Sequence, residues 1–160
     1  MGPFPHDAPK ARIDEDNVAG TDGFEFVEFA HPEPGVLDDL FRRMGFAEVA
    51  RHESKDISLY RQGRINYLVN REPGSHAARF VAEHGPCAPA MAWRTVDAAH
   101  ALKCALDYGA EEYTGPGKSI DAPAVIGIGG SLLYFVEEYD EGRTPYDSEF
   151  EWLGERDPEP

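Results

Sequence analysis

The chain has 160 residues (17.7 kDa), of which 41% are hydrophobic and 11% aromatic, enough for one packed core and too many for wholesale disorder. Thirty Asp and Glu against fifteen Lys and Arg give a formal charge of −15 and a pI near 4.6, which excludes nucleic acid and anionic membrane as partners. No run of about 18 apolar residues exists to span a bilayer, the N-terminus lacks the basic-then-apolar order of a secretory signal, and Cys87 and Cys104 are too few for a disulfide framework, so the expected setting is the reducing cytoplasm.

Residues 1–20 carry Pro3, Pro5 and Pro9 with little periodicity and read as a flexible arm. From Phe24 to Phe29 the composition is that of a strand, stopped by Pro32 and Pro34. Val36, Leu37, Leu40, Phe41 and Met44 follow at helical spacing, and Gly45 suits the left-handed residue after a helix. Residues 46–50 read as a short strand. Ile57 and Leu59, then Ile65, Tyr67 and Val69, alternate on either side of Gln62-Gly63, which predicts two strands joined by a tight turn. Ser75 can cap a short helix through Val81 that ends at Gly85. Beyond Pro86 and Pro89, residues 91–96 read as a strand. Asp97 then caps a helix carrying Ala98, Ala101, Leu102, Ala105 and Leu106, closed by Gly109, and residues 125–128 and 132–136 read as strands flanking Gly129.

The second run of elements repeats the first. Met44-Gly45-Phe46-Ala47-Glu48-Val49 is answered by Tyr108-Gly109-Ala110-Glu111-Glu112-Tyr113, and Gly129 answers Gly63 at nearly the same offset along the chain. Order and spacing kept over that length imply duplication of a βαβββ unit. The expected fold is α+β: two βαβββ modules, about 21–71 and 89–138 within a domain over 21–141, forming a cupped mixed sheet with helices outside. That is the architecture of the vicinal oxygen chelate proteins, and the cup is a natural place for a metal or small ligand.

The stretch 137–160 holds ten acids against Arg143 and Arg156, together with Pro145, Pro158 and Pro160. Residues 142–160 therefore read as an acidic tail or linker. Tyr146, Phe150, Trp152 and Leu153 within it carry more apolar surface than a free tail holds, so they are expected to pack against a following domain or a partner chain.

Long stretches resemble the bacterial 4-hydroxyphenylpyruvate dioxygenase family: Thr21-Asp22-Gly23-Phe24-Glu25-Phe26-Val27-Glu28-Phe29-Ala30-His31-Pro32, Ser54-Lys55-Asp56-Ile57-Ser58-Leu59-Tyr60-Arg61-Gln62-Gly63, Glu83-His84-Gly85-Pro86-Cys87-Ala88-Pro89-Ala90-Met91-Ala92-Trp93-Arg94, Gly127-Ile128-Gly129-Gly130-Ser131-Leu132-Leu133-Tyr134 and Phe150-Glu151-Trp152-Leu153-Gly154-Glu155-Arg156. The resemblance covers about 21–158 and is to the N-terminal half of that enzyme only. It implies an Fe(II) dioxygenase that converts 4-hydroxyphenylpyruvate and O₂ to homogentisate and CO₂ in tyrosine breakdown, with two His and one Glu holding iron in the other half. The equivalent positions here fall at Phe26, Ala92 and Tyr134, with Trp93, Leu133 and Phe135 beside them. Aromatic and methyl groups do not ligate non-haem iron, so no catalytic, cofactor-binding or metal residue is expected on this chain, and the partners implied are a C-terminal catalytic domain and copies of the chain itself. Two other readings stand beside this one. The first is a free-standing cup, lined by Phe26, Trp93 and Tyr134, that holds an aromatic small molecule. The second is a glyoxalase-type metalloenzyme with ligands supplied across a dimer.

The remaining chemistry-bearing residues read as structural. His31 lies at a strand end before Pro32, where a loop or capping role is expected. His100 and Cys104 share a helix face at a spacing that binds zinc, without the second pair a site needs. His76 and His84 flank the short helix as surface residues, and His52 with Glu53 and Asp56 reads as a solvated turn cluster. Gly127-Ile128-Gly129-Gly130-Ser131 lacks the Lys-Ser/Thr of a phosphate loop and reads as a hairpin turn, and Ser131 has no base to make it a nucleophile.

Overall fold

Aromatic residues carry β1 (Thr21–Ala30), past left-handed Gly23, through the middle of an eight-stranded sheet; the computed structural model describes residues 9–139 and 143–156. α1 (Val36–Arg43), β2 (Ala47–His52), β3 (Ile57–Gln62) and β4 (Ile65–Asn70) complete a first module. α2 (His76–His84) leads into a second, made of β5 (Cys87–Thr95), α3 (Ala98–Asp107), β6 (Ala124–Ile126) and β7 (Leu132–Val136), and β8 (Phe150–Trp152) comes last. The strand order is β6-β7-β5-β1-β4-β3-β2-β8. In each module the first strand pairs in parallel with the last (β1 with β4, β5 with β7), and antiparallel β1 and β5 join the two modules at the centre. No helix among the described residues is long and apolar enough to cross a membrane.

The local signals act where the sequence puts them. Ser75 Oγ accepts from the Ala78 N–H at 3.0 Å, and Asp97 Oδ1 from the His100 N–H at 2.8 Å, each capping its helix. Gly45 and Gly109 end α1 and α3 at φ +90° and +91°, which confirms the offset between modules. Gln62 pairs with Ile65, so Gly63 and Arg64 form the two-residue turn.

Three regions differ from expectation. β5 begins four residues before the expected strand and runs through Pro89. The register passes from Glu28 opposite Ala90 to Ala30 opposite Cys87, so Ala88 and Pro89 face Phe29 alone. Such a bulge needs no ladder N–H from proline, and it accommodates Pro89 in a central strand. The second module has no full second strand: the segment matching β2 contributes a single bridge, Glu112 to Val125, because Gly115-Pro116-Gly117 cannot extend a ladder. Finally, the segment read as a tail is part of the sheet. β8 pairs antiparallel with β2 (Ala50 with Trp152, His52 with Phe150). The domain boundary expected near 141 lies outside the described residues. The described part of the N-terminal arm, 9–20, is fastened down: the Asn17 side chain donates to the Thr21 carbonyl at 2.9 Å, and His100 Nε2 lies 2.8 Å from the Val18 carbonyl.

α1 and α3 cover one face of the sheet. Phe41 and Phe46 pack there with Tyr60, Val69, Phe29 and Tyr67, and Ala98 and Ala101 pack with Val125, Phe135, Trp93 and Leu133. The opposite, inner face holds the largest cluster, including Phe26, Leu59, Leu68, Ala92, Tyr134, Tyr146 and Phe150.

Candidate functional site

The inner face of the central strands is where a paired βαβββ sheet holds its ligands. Phe26 of β1 sits opposite Ala92 of β5, and Ala92 opposite Tyr134 of β7, so the three positions picked from the sequence form one row across the floor. All three are buried, with at most 1% exposure. Trp93, Leu133 and Phe135 face the other way, beneath α3. Trp93 is therefore not a lining residue of the cup. A bulge between Phe24 and Phe26 turns Phe24 outward against Trp93, ring centroids 4.3 Å apart.

The chain itself fills the cup. Residues 143–156 cross to the β2 edge and insert Tyr146, whose ring lies 6.5 Å from Phe26 and edge-on to Phe150 at 5.5 Å. Tyr146 is fully buried, and its hydroxyl, though close enough to Glu25 to feel its charge, has no hydrogen-bond partner of normal geometry among the described residues. Burial, and then Glu25, hold its pKa well above the ordinary phenol value. Ser119 and Ile120, from the loop before β6, close the other side. Glu149 fastens the strap: its carboxylate accepts from the Asp121 N–H at 2.8 Å and lies 3.3 Å from His52 Nε2 and 3.8 Å from Lys55 Nζ. His52 is thus packed against Phe150 and the strap, not solvated. Burial first, then the charge of Lys55, holds its pKa below the ordinary imidazole value, against the opposing pull of Glu149.

Two polar clusters flank the aromatic row. On one side Asn70 Nδ2 donates to Glu28 Oε1 at 2.6 Å and Ser119 Oγ to Glu28 Oε2 at 3.1 Å, while the Ser119 N–H donates to the Tyr134 oxygen at 3.0 Å. Burial raises the Glu28 pKa above 4.5, outweighing those hydrogen bonds and the charge of Lys55. Burial, and then Glu28, raise that of Tyr134. On the other side the same bulge brings Glu25 to the inner face. There it accepts from Asn66 Nδ2 at 3.0 Å and pairs with Arg94 Nε at 2.6 Å, and Arg61 Nε donates to Asn66 Oδ1 at 2.7 Å. The sequence reading missed these groups. The available signal was Asn66 and Asn70, which share a face with buried Leu68 and are too polar for a core position without partners.

Fe(II) does not suit this donor set. The row offers phenyl, methyl and a phenol kept protonated, Glu28 already has both oxygens hydrogen-bonded, and among the described residues no imidazole reaches the floor. His31 Nδ1 accepts from the Glu33 N–H at 2.9 Å, a loop role. His76 Nε2 lies 2.8 Å from the Gly130 carbonyl, and His84 stacks on Phe80 at 4.1 Å. Among the described residues no three of His, Cys, Asp and Glu gather as metal ligands, the His100 and Cys104 pair included. Ile128–Gly130 forms a single turn joining β6 to β7, with Gly129 at φ +66°, and the Ser131 hydroxyl is spent on the Ile128 carbonyl.

Paired βαβββ modules in one mixed sheet, joined at antiparallel first strands, define a vicinal oxygen chelate fold. The family model for hydroxyphenylpyruvate dioxygenase, N-terminal, matches residues 15–151, and the chain belongs to that family. It is 47% identical over 141 residues to a 4-hydroxyphenylpyruvate dioxygenase of Pseudomonas sp. (86% of this chain, 39% of the relative) and 53% identical over 144 residues to hemolysin VllY of Vibrio vulnificus (86% and 40%). A 3-dehydroshikimate dehydratase of Pseudomonas aeruginosa is 46% identical over 136 residues (81% and 21%). Among solved structures, a xylose isomerase-like TIM barrel/4-hydroxyphenylpyruvate dioxygenase fusion protein superposes with a TM-score of 0.70 at 36% identity, covering 90% of this chain and 22% of that one. The chain spans about 40% of the length of the dioxygenase and hemolysin relatives.

Proposed function

We propose that the chain is the N-terminal scaffold of a 4-hydroxyphenylpyruvate dioxygenase working in the cytoplasm, and that iron and substrate are held by a C-terminal half rather than by this cup. The observation that carries the reading is the floor itself: Phe26, Ala92 and Tyr134 occupy the row, and Tyr146 fills the space above it. The relatives add support. Identity is 47% to a dioxygenase and 46% to a dehydratase, so likeness in this domain does not track the named reaction. Self-association is part of the proposal, supported by Val36, Leu40 and Met44, which expose an apolar stripe along α1 at 38%, 38% and 50%. The free-standing small-molecule cup is disfavoured because its interior is packed and Trp93 lies outside it.

The test is oxygen uptake by the purified chain with Fe(II), ascorbate and 4-hydroxyphenylpyruvate, alongside metal analysis after desalting. The scaffold reading expects neither uptake nor retained iron. Iron-dependent uptake stoichiometric with substrate would overturn it.

A further inference from the structure

Away from the inner face, a cleft of about 240 Å³ opens between α1, β2 and the start of β3. Three arginines reach it. Arg42, Arg51, Lys55 and Arg71 line it with Asp38, Glu48 and Asp56; Lys55 is turned to Glu149 and to the Lys118 and Ser119 carbonyls, so the charges balance and the arginines are the cations left to meet a ligand.

The arginines are also held in place before any ligand arrives. One carboxylate, Glu48, accepts from Arg51 Nε at 2.7 Å, from Arg42 Nη2 at 3.1 Å and from Ser58 Oγ at 2.9 Å. Behind it Arg71 Nη2 lies 3.2 Å from Ser58 Oγ and pairs with Asp38, which the Tyr60 hydroxyl also reaches at 2.7 Å. Ser58 and Tyr60 are buried, so Glu48 is braced from the sheet side while the Arg42 and Arg51 side chains stay 53% and 62% exposed. Among the described residues Arg51 spends only Nε on hydrogen bonding and Arg42 only Nη2. Both Nη groups of Arg51, with Nε and Nη1 of Arg42, remain for a ligand. The Nη1/Nη2 fork of Arg51 matches the paired oxygens of a carboxylate or phosphate, Arg42 adds a single N–H beside it, and fixing both beforehand removes an ordering cost from binding.

We propose that this cleft is a binding site for a small oxyanion, a carboxylate or phosphate group gripped by Arg42 and Arg51 and oriented through Glu48 and Ser58. The experiment is an NMR titration of the ¹⁵N-labelled chain with inorganic phosphate and, separately, with succinate, each at constant ionic strength against chloride. The expected result is saturable shifts at Arg42, Glu48, Arg51 and Ser58 with at least one of the two; the tighter arm identifies the group. The Arg42→Gln/Arg51→Gln double variant should bind at least tenfold more weakly, and single Arg51→Gln should fall between it and the parent. Arg64→Gln, at the exposed β3–β4 turn, should leave binding unchanged. Truncating two exposed side chains leaves the core intact, and unchanged dispersion of the inner-face resonances checks this. The absence of saturable shifts with both anions, or an Arg64→Gln loss equal to that of the double variant, would overturn the site.

Discussion

The two modules share a skeleton and differ in what fills it. In the first, α1 sends Phe41 into a cluster of rings, with Phe46 stacked on Tyr67 at 4.5 Å and Phe29 edge-on to Tyr67 at 4.8 Å. In the second, α3 offers Ala98, Ala101 and Ala105, and the bulk comes from the sheet, from Phe135 and Trp93. The central strands differ in the same way: at the offset that carries Gly45 onto Gly109, Phe26 and Glu28 fall on Ala90 and Ala92. What was kept through the duplication is backbone geometry, namely the left-handed glycines that end α1 and α3 and the parallel pairing of outer on inner strand. Core identity was free to drift while volume was conserved across the interface. The second module also gave up a strand, and the loop freed by that loss closes the inner face together with the C-terminal strap.

Six substitutions probe this asymmetry. Tyr146→Ala, which unplugs the space the two modules share, should cost about 3–5 kcal/mol in denaturant unfolding. Tyr146→Phe should cost nothing or stabilise slightly, because the hydroxyl it removes is buried without a partner. A cost below about 1 kcal/mol for the alanine variant would place the strap outside the core. Phe41→Ala should cost about 3–5 kcal/mol in the ring cluster, whereas the second module should object to bulk, Ala101→Leu costing about 1–3 kcal/mol by overpacking. Equal tolerance of Leu at Ala101 and of Ala at Phe41 would mean that the cores are interchangeable after all. Smaller still is the difference between two glycines. Gly63→Ala meets open space at φ +55° and should cost about 1–2 kcal/mol from the left-handed backbone alone. Gly117→Ala, at φ +86°, would add a contact of 2.7 Å with the His76 backbone nitrogen, and its midpoint should fall below that of Gly63→Ala.

How far the sequence could be read follows from the range over which each signal acts. Ser75, Asp97, Gly45 and Gly109 act within one turn of chain, so the helix ends were legible. The reach of β5 past Pro89 and the inward turn of Glu25 were hidden for one shared reason. Both sit at bulges, and a bulge is set by the register of the neighbouring strand, which a single strand's pattern does not contain. That is why Glu25 was overlooked, while Phe26, Ala92 and Tyr134 fell in line; Trp93, next to inward Ala92 in an unbroken stretch of β5, faces outward by alternation alone. The strap was hidden by its charge. Its acids suggested a solvated linker, yet Glu149 is a fastening point and Tyr146 a core residue, and only the β2 edge that receives them makes this visible.

The smallest expected effect is also the most diagnostic in sign. Glu28 is answered in the second module by the uncharged Ala92, and its carboxylate is buried with Asn70 and Ser119 as its direct hydrogen-bond donors among the described residues. Burial is the largest influence on its pKa, which is raised above 4.5. The folded state therefore binds the proton more tightly than the unfolded chain. Stability from this group is fully present below about pH 4.5 and is lost as pH rises through the folded value, after which the deficit stays constant. Glu28→Gln keeps the shape, can still accept from Asn70, and has no proton to lose. Unfolding midpoints of parent and variant should coincide near pH 4 and separate as pH is raised to 8, with the glutamine variant the more stable. Parallel profiles, or a variant that is weaker at pH 8, would mean that Asn70 and Ser119 compensate the buried charge in full. The first module's central strand would then carry its carboxylate at no cost that the alanines of the second avoid.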